Sequence, residues 1–460
     1  MYNFKKITLG VAPTRRDTFP PPEYAVESYK LVKKRLNSIF DGIGDLDVAD
    51  IDGIVPDGLL VENSDVPKAV KLFRDKGVDA VFVPHANFGQ EEAVAKLCKE
   101  MNVPVLLWGP RDPEPDPDAP VRPLDTQCGL FATSRALKRY GVPFTYIENC
   151  WLDSPVLEKG IADFVATAAA VKAFRKLRVL QLSTRPRQFL SVKVNEGELL
   201  ERFGIEVTPI ESSEITGIMD DYLANRKSDL HGLIAEWETY VDTSKMPVDK
   251  LEKMAALELG ILKLAEMYEC PVAAAECWAL FKERYGIRTC FVYGDLSNRG
   301  LPVACETDIH GAITSALMLG AARGESASFV ADVTIRHPHN DNAELLWHCG
   351  PFPVSLARQD KPKRIIPEGV GAWELKKGDI TVARFDSDGG DYKLFADEGH
   401  AVDGPGTDGN YVWLETNDWP AWERKLIYGP YIHHVIGAYG AYREILHDAC
   451  RYLGVTPDKV

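Results

Sequence analysis

The chain has 460 residues, of which 45% are hydrophobic and 26% charged, a balance that is ordinary for a globular protein. Its 53 basic and 68 acidic residues leave a formal net charge of −15, which disfavours nucleic acid and anionic membrane surfaces because both would repel it. The length is too great for one ordinary hydrophobic core, so two or three domains are expected.

The N-terminus and the cysteines indicate the compartment. The opening sequence MYNFKKITLGVAP leads directly into a strand pattern and lacks the apolar core that a signal peptide carries. No stretch of the sequence is long and apolar enough to predict a membrane span. The nine cysteines are scattered and form no C-x-x-C pair. We therefore expect a protein of a reducing compartment, the cytoplasm, that binds neither nucleic acid nor a membrane.

Residues 5–170 alternate between strand-like and helix-like segments. Strand patterns occur in KKITLGVAP, GLLVEN, VDAVFVPHANFG and VPVLLWGPRD, and amphipathic helix patterns lie between them. This alternation predicts a parallel, doubly wound sheet, whose strand C-termini present side chains to ligands. Arg15, Arg16 and Asn87 follow such termini. Neither G-x-G-x-x-G nor G-x-x-x-x-G-K-[ST] occurs, so no nucleotide cofactor is expected.

A second α/β pattern begins at RVLQLSTRP. After a helix pattern at 309–324 the alternation of strand and helix patterns ends. Short β runs then follow one another, several of them separated by Asp-Gly, Gly-Gly or Gly-Pro turns. The predicted fold class is α/β: two doubly wound parallel-sheet domains followed by a mainly antiparallel β domain with a terminal helix. The predicted domains are 1–172, 173–325 and 326–460.

Three candidate metal ligands lie at the edges of apolar runs. Glu306 follows LPVAC and precedes a helix pattern, Asp332 lies within SFVADVTI, and His348 ends AELLWH. Oxygen and nitrogen donors without a thiolate suit a hard-to-borderline metal ion. The residues alone leave a structural interpretation open. Glu306 could be an acid favoured by the helix dipole, with Thr307 or Asp308 as the N-cap, while Asp332 caps a turn and His348 lies in a core.

Four segments, in the order ACETDIHGAITSALMLG, SFVADVTI, AELLWHCGP and IHHVIGAYG, resemble the L-fucose isomerase and L-arabinose isomerase superfamily. A weaker likeness runs through LRVLQLSTRPRQFLSVKVNEGELLERFGIEV, and the chain resembles an outlying, fucose isomerase-like branch. The resemblance implies that Glu306, Asp332, His348 and a late histidine bind Mn²⁺, with Co²⁺ or Mg²⁺ as alternatives. The late histidine is His433 or His434, and His434 is favoured because it precedes the Tyr-Gly pair of IHHVIGAYG by five residues.

The resemblance also implies the reaction. An aldose–ketose isomerase moves a proton between C1 and C2 of an open-chain sugar through a cis-enediolate, and Mn²⁺ on O1 and O2 would act as a Lewis acid. Glu306 and Asp332 are then the acid/base pair. The expected substrate is a free deoxy-hexose, pentose or substituted hexose, and the expected assembly is a homo-oligomer with sites near subunit interfaces.

Further residues are candidates for sugar contacts. Glu276 and Trp278 match positions where the family carries a sugar-contacting polar group and an aromatic, although a helix-start acid and a core tryptophan fit the pattern as well. His433 and Asn87 are included as substrate-binding candidates. Arg15 and Arg16 lie in a loop that in the family reaches a neighbouring subunit's site, and the alternative is an ordinary solvated loop. The candidates for binding an anionic sugar are Arg15, Arg16, Arg185 and Arg187.

Two other functions remain compatible with the sequence. One is a sugar-binding or regulatory protein on the same fold, which would have no reason to keep two acids and two histidines at the family's spacing. The other is a metal-dependent aldolase or epimerase, which shares the first proton abstraction and therefore is not distinguished by sequence.

Overall fold

The computed structural model describes residues 3–18, 22–115, 118, 122 and 124–460. These residues form two compact units. One unit comprises residues 5–172, and the other comprises residues 173–460 together with residues 3 and 4. The predicted boundary at 325 lies inside the second unit, so the division into three domains stays a prediction.

The first unit is built on a five-stranded parallel sheet with the order β2-β1-β3-β4-β5. Its strands are β1 (Ile7–Val11), β2 (Leu46–Asp50), β3 (Ala80–Pro84), β4 (Val105–Trp108) and β5 (Thr145–Tyr146). Its helices are α1 (Pro22–Asp41), α2 (Val66–Asp75), α3 (Glu91–Met101), α4 (Thr126–Arg139) and α5 (Pro155–Phe174). Every residue of β3 and β4 is buried, as expected for the central strands of a parallel sheet.

One strand of this sheet was predicted wrongly. The segment GLLVEN forms no strand, and Leu60 makes only an isolated bridge to Thr14. The strand beside β1 is instead β2, with the sequence LDVAD, which is largely exposed at the sheet edge. An edge strand needs no continuous apolar run, and for this reason its sequence lacks the pattern of a buried strand.

The second unit begins with a four-stranded parallel sheet of order β7-β6-β8-β9. Its strands are β6 (Arg178–Leu182), β7 (Glu206–Ile210), β8 (Val272–Ala275) and β9 (Val303–Cys305). The helices of this part are α6 (Glu196–Phe203), α7 (Ser212–Asn225), α8 (Lys227–Trp237), α9 (Val248–Met267), α10 (Leu280–Tyr285), α11 (Cys290–Asn298) and α12 (Ile309–Ala322). Every residue of α12 is buried, because it packs against β8 on one side and against the C-terminal strands on another.

The remaining strands form a nine-stranded, mainly antiparallel sheet. They are β10 (Phe329–His337), β11 (Asn340–His348), β12 (Arg364–Ile366), β13 (Val370–Glu374), β14 (Asp379–Asp388), β15 (Asp391–Val402), β16 (Asn410–Thr416), β17 (His434–Tyr439) and β18 (Thr456–Asp458). Their order is β12-β13-β16-β11-β10-β17-β14-β15-β18, and an additional pairing of β15 with β16 closes the middle six strands into a barrel. The helices α13 (Trp419–Tyr428), which interrupts the predicted β region, and α14 (Arg443–Leu453) complete the chain.

The predicted fold class is confirmed: two parallel α/β sheets are followed by a mainly antiparallel β sheet. Within the described ranges, no helix combines the length and the apolar character that crossing a membrane requires. The C-terminus of β9 and the paired strands β10 and β17 carry the acids and the late histidine that the sequence singled out, and the second unit therefore contains the candidate site.

Candidate metal and sugar site

Glu306 follows the last residue of β9 in an unusual backbone conformation. Glu306 and Thr307 have φ angles of 55° and 57°, in the left-handed region that residues other than glycine rarely adopt. Two backbone hydrogen bonds hold this turn, from Thr307 N to Ala275 O at 3.1 Å and from Asp308 N to Cys305 O at 3.1 Å. Two consecutive residues in a costly conformation are typical of a functional site.

The other three candidate ligands converge on Glu306. Asp332 of β10 pairs directly with His434 at the start of β17, and His348 is the last residue of β11. His434 Nε2 lies 3.0 Å from Glu306 Oε2 and 3.3 Å from Asp332 Oδ1. His348 Nε2 lies 4.0 Å from the same Glu306 oxygen. The structure thus brings together four side chains that lie far apart in the sequence.

The two adjacent late histidines differ in position. The His434 side chain is 1% exposed, whereas that of His433 is 48% exposed, and His433 Nε2 is 4.0 Å from Asp332 Oδ1. Donor atoms within 4.8 Å of one another form two overlapping groups, one of Glu306, His348 and His434 and the other of Asp332, His433 and His434. His434 belongs to both groups, and the geometry therefore favours it over His433 as the ligand.

The donor atoms fit a divalent cation. Asp332 Oδ1 and His348 Nε2 are buried and have no hydrogen-bond partner among the described residues. Buried polar atoms are costly when they remain unpaired, and a bound cation would satisfy those that it contacts. Two carboxylates and two imidazoles form a mixed oxygen and nitrogen set, which suits Mn²⁺ and similar ions.

A buried carboxylate contacts Nδ1 of His434, the ring nitrogen that does not face the other candidate ligands. Asp308 Oδ2 lies 3.0 Å from His434 Nδ1, while Asp308 Oδ1 accepts a hydrogen bond from Gly311 N at 2.9 Å and caps α12. Arg384 is fully buried and donates to Asp308 at 3.1 Å and to Asp386 at 2.8 Å. An Nδ1–H that donates to Asp308 leaves the His434 Nε2 lone pair free for a cation.

The charges of the site perturb one another strongly. Burial would raise the pKa of Glu306, but the hydrogen bond from His434 and the charges of His348 and His434 outweigh burial and lower it to about 2. Burial would lower the pKa of His434, but hydrogen bonds to Asp308 and Glu306 raise it to about 9. The pKa of His348 is likewise raised to about 10, against burial, by Cys349 and the nearby acids. A cation must therefore displace protons from both imidazoles.

An aromatic side chain covers the histidines. The Phe189 ring centroid is 6.2 Å from that of Trp278, in a stacked arrangement, and 5.3 and 5.2 Å from those of His433 and His434. Trp278 is 49% exposed and donates its indole N–H to Glu306 Oε1 at 3.0 Å. A flat, partly exposed aromatic surface beside the acids is suited to packing against a sugar ring.

A cavity of about 330 Å³ opens beside Glu306, within the size range of small-molecule sites. It is lined by Cys277, Trp278, Lys282, Arg288, Cys290, Glu306 and Cys349. Its cationic residues are thus Lys282 and Arg288. Arg185 instead donates to the backbone of its own loop, at Pro186 O and Phe189 O, with distances of 3.1 and 3.3 Å.

Glu276 has a local structural role. Its Oε1 accepts hydrogen bonds from the backbone N–H groups of Trp278 and Ala279, both at 2.7 Å, and its Oε2 accepts one from Leu280 at 3.2 Å. The carboxylate therefore holds the turn that begins α10 and carries Trp278. This is the arrangement that the helix-start interpretation of Glu276 describes.

Comparison with known proteins agrees with the resemblance drawn from the four segments. A family model described as fucose/sulfoquinovose isomerase, N-terminal domain, matches residues 10–175. A sulfoquinovose isomerase of Priestia aryabhattai is 24% identical over 357 residues, 76% of this chain and 78% of the relative. One from Alkalicoccus urumqiensis is 23% identical over 341 residues, 71% of this chain and 73% of the relative. The chain is a fucose isomerase-like protein.

Solved structures add little to this relationship. One match is a periplasmic solute-binding protein of an ABC transporter from Actinobacillus succinogenes 130z, with bound D-allose. The match extends over 59% of the fucose isomerase-like chain and 78% of the solute-binding protein. The two are 12% identical, with a TM-score of 0.16. A score this low supports no conclusion about fold or ligand.

The candidates from the first unit of this fucose isomerase-like protein form a network of their own. Arg15 pairs with Asp17 and, at 3.1 Å, with Asp57. The Arg16 guanidinium lies 3.8 Å from the Phe88 ring centroid and 2.8 Å from the carboxylate of Glu91. Asn87 is buried and accepts a hydrogen bond from Arg16 N at 2.8 Å. Their role in sugar binding stays a prediction.

Three residues beside the acids and histidines were not predicted as part of the site. Asp308 was expected only as an N-cap, which it is, and its contact with His434 was missed. Arg384 lies in the strand sequence DITVARFDSD, where a lone arginine within an apolar run indicates a buried ion pair. Phe189 carries no such indication, because its contacts with His433 and His434 depend entirely on the tertiary fold.

Proposed function

We propose that this chain is a metal-dependent aldose–ketose isomerase whose substrate is sulfoquinovose or another aldose with an anionic substituent. The names of the relatives support the coarser part of this proposal, an isomerase that acts on a sugar. One observation carries the metal-dependent part. Close donor atoms form one group of Glu306, His348 and His434 and an overlapping group of Asp332, His433 and His434, and within the described residues the buried Asp332 Oδ1 and His348 Nε2 have no hydrogen-bond partner.

Each residue of the group has a role in this proposal. Glu306, Asp332, His348 and His434 would hold the cation. When bound, the cation would act as a Lewis acid on two adjacent sugar oxygens. Asp308 keeps His434 in the tautomer that a cation requires, and Trp278 orients Glu306 through its indole N–H.

The two acids would carry the proton transfer. The lowered pKa of Glu306 keeps this carboxylate ionised at neutral pH, as a base must be before it accepts a carbon-bound proton. Asp332 is 21% exposed, against 12% for Glu306, and so is the acid more open to a hydroxyl group of the sugar. Transfer of one proton between C1 and C2 through a cis-enediolate converts the aldose into the ketose.

The charge of the cavity supports an anionic substrate. Lys282 lines the cavity, and no residue in the described part of the chain forms an ion pair with it. Arg288 is paired with Glu368 at 3.0 Å. In a chain with a net charge of −15, an ammonium without an ion-pair partner in the cavity that Glu306 lines favours a negatively charged sugar over a neutral one.

The test is turnover of a panel of sugars in D₂O. Protein stripped with EDTA and reloaded with Mn²⁺ is incubated with sulfoquinovose, glucose, fucose and arabinose, and products are followed by NMR. The proposal expects a ketose from sulfoquinovose, deuterium at C1 or C2, and no product without a cation. Sulfoquinovose turnover undiminished by EDTA would contradict metal dependence, and cleavage to shorter products or an epimeric aldose would indicate an aldolase or epimerase instead.

A homo-oligomer with sites near subunit interfaces and a cytoplasmic location belong to the same proposal. Both follow from the resemblance and from the sequence rather than from the geometry of this single chain. Sedimentation of the purified protein tests the first of them.

A further inference from the structure

Two cysteines meet beside the candidate ligand His348. Cys290 begins α11, Cys349 directly follows β11, and their sulfur atoms are 3.1 Å apart. Both thiols are free and both line the cavity beside Glu306. Cys290 is 3% exposed and Cys349 is partly exposed. A small solute that enters the cavity therefore reaches two thiols that already touch.

We propose that Cys290 and Cys349 are a modification site, where a small hydroperoxide converts the two thiols into a reversible disulfide that weakens the neighbouring cation site. The formation of the disulfide is independent of the function proposed above, whereas its effect on the cation rests on that function. Such a bond, in a chain whose cysteines are all free, would be regulatory rather than structural.

The backbone around the pair favours the bond. A disulfide has an S–S distance of about 2.05 Å, so the sulfurs need to approach by only about 1 Å. Gly350 follows Cys349 with a φ of 129°, and a Cβ at this position would lie 3.2 Å from Cys290 Cβ and 2.5 Å from the backbone nitrogen of Gly371. Only glycine fits there, and the segment that carries Cys349 is held against the start of α11.

The chemistry balances with one hydroperoxide per disulfide. The sulfur of the more exposed Cys349 attacks the outer oxygen of ROOH, the O–O bond breaks, and ROH leaves with the thiol proton while a sulfenic acid forms. The sulfur of Cys290 then attacks the sulfenic sulfur, the S–S bond forms, and water leaves. Two thiols supply two electrons, and ROOH is reduced to ROH and water.

The disulfide would act on the cation site through His348. Its Nδ1 accepts a hydrogen bond from the backbone N–H of Cys349 at 2.9 Å and lies 3.3 Å from Cys349 Sγ. These two contacts fix the orientation of the imidazole ring and thereby of Nε2, which faces Glu306. In a disulfide, Cys349 Sγ has no proton and is drawn toward Cys290, so His348 loses one of the two contacts that orient its ring.

The experiment maps the disulfide on the full chain. Wild-type protein and the variants Cys290→Ser, Cys349→Ser and Cys128→Ser are treated with hydrogen peroxide, blocked with N-ethylmaleimide and digested without reduction. Cys128 is exposed and lies outside the second unit, which makes Cys128→Ser the matched control. We expect a Cys290–Cys349 cross-linked peptide from wild type and Cys128→Ser, absent from the other two variants and lost on treatment with dithiothreitol.

Mn²⁺ titration of the same samples tests the consequence. Oxidised wild type and oxidised Cys128→Ser should bind Mn²⁺ on the order of 10-fold more weakly than their reduced forms, whereas peroxide should not change the affinity of Cys349→Ser, which lacks the sulfur that is oxidised first. Oxidation of Cys128 in wild type without a Cys290–Cys349 peptide would overturn the modification site. A cross-link that leaves Mn²⁺ affinity unchanged would overturn only its effect. Absence of Mn²⁺ binding by the reduced protein would instead contradict the proposed function. In that case the presence or absence of the cross-linked peptide would still show whether Cys290 and Cys349 form a modification site.

Discussion

The Nδ1 atom of His434 lies 3.0 Å from Oδ2 of Asp308, and Arg384 donates hydrogen bonds to both oxygens of the same carboxylate. All three side chains are buried. The contact between Asp308 and His434 connects the start of α12, which follows Glu306, with β17, the strand that carries His434. Because one carboxylate both caps α12 and orients a candidate ligand, the geometry of the site is tied to the packing of the barrel.

Asp308→Asn tests this relationship. Asparagine caps a helix as well as aspartate does, so the start of α12 should be retained. The variant loses the charge that holds His434 Nδ1–H, and Mn²⁺ affinity should fall by roughly 10- to 100-fold. Calorimetric titration of Mn²⁺ measures this change, and Glu423→Gln, which alters an exposed pair with Arg336, is the control. An affinity equal to that of wild type would show that Asp308 only caps the helix.

Arg384→Met tests the energetics of the buried ion pairs. The substitution leaves Asp308 and Asp386 buried without their cation, and the free energy of unfolding should decrease by roughly 3–5 kcal/mol. Arg336→Met removes a comparable pair at the surface, where the loss should stay within about 1 kcal/mol. Urea denaturation of the metal-free proteins compares the two. Similar losses for both variants would mean that the buried network contributes little to stability.

The pH dependence of the folding stability of the metal-free protein follows from the raised pKa of His434. Its pKa of about 9 in the fold lies above the ordinary value of 6.5, so protonation stabilises the fold fully below pH 6.5, and this contribution is lost as the pH rises from 6.5 through 9. The melting temperature of EDTA-treated protein should fall over this range. His434→Gln should show a shallower decline, whereas His400→Gln, which alters an exposed histidine, should keep the wild-type slope. Equal slopes for all three proteins would contradict the raised pKa.

Lys282→Ala tests the choice of an anionic substrate. Loss of the ammonium should raise KM for sulfoquinovose by about 10-fold, because a charge-assisted contact is removed, while kcat and the KM for a neutral aldose change little. Lys282→Arg should retain most of the affinity, and Lys71→Ala, on the exposed face of α2, serves as the control. Equal effects of Lys282→Ala on charged and neutral sugars would indicate a structural role for the lysine.

Local patterns in the sequence predicted the features that depend on neighbouring residues. The end of the apolar run LPVAC located Glu306, and the alternation of strand and helix gave the parallel sheets. The features that were missed depend on long-range packing. Asp308 and Arg384 lie 76 residues apart and meet only in the folded chain. The strand β2 has the composition of an exposed edge, which its sequence does not distinguish from a loop.

The placement of His434 shows how much the resemblance contributed. Spacing within the family favoured His434 over His433, and the geometry agrees, since the His434 side chain is 1% exposed and its Nε2 lies 3.0 Å from Glu306. Composition and periodicity alone gave no reason to join a histidine near the C-terminus to an acid at 306. Its contact with Asp332 depends on the register of β10 and β17, which the sequence of either strand does not specify by itself.

The most direct test of the central claim is an electron paramagnetic resonance titration of Mn²⁺ into metal-free wild type and Glu306→Gln. Glutamine preserves the size of the side chain, so circular dichroism should show an unchanged fold. We predict one tightly bound Mn²⁺ per wild-type chain and a loss of that binding in Glu306→Gln, as expected if the four side chains hold one ion. Equal stoichiometry and affinity in both proteins would contradict the account.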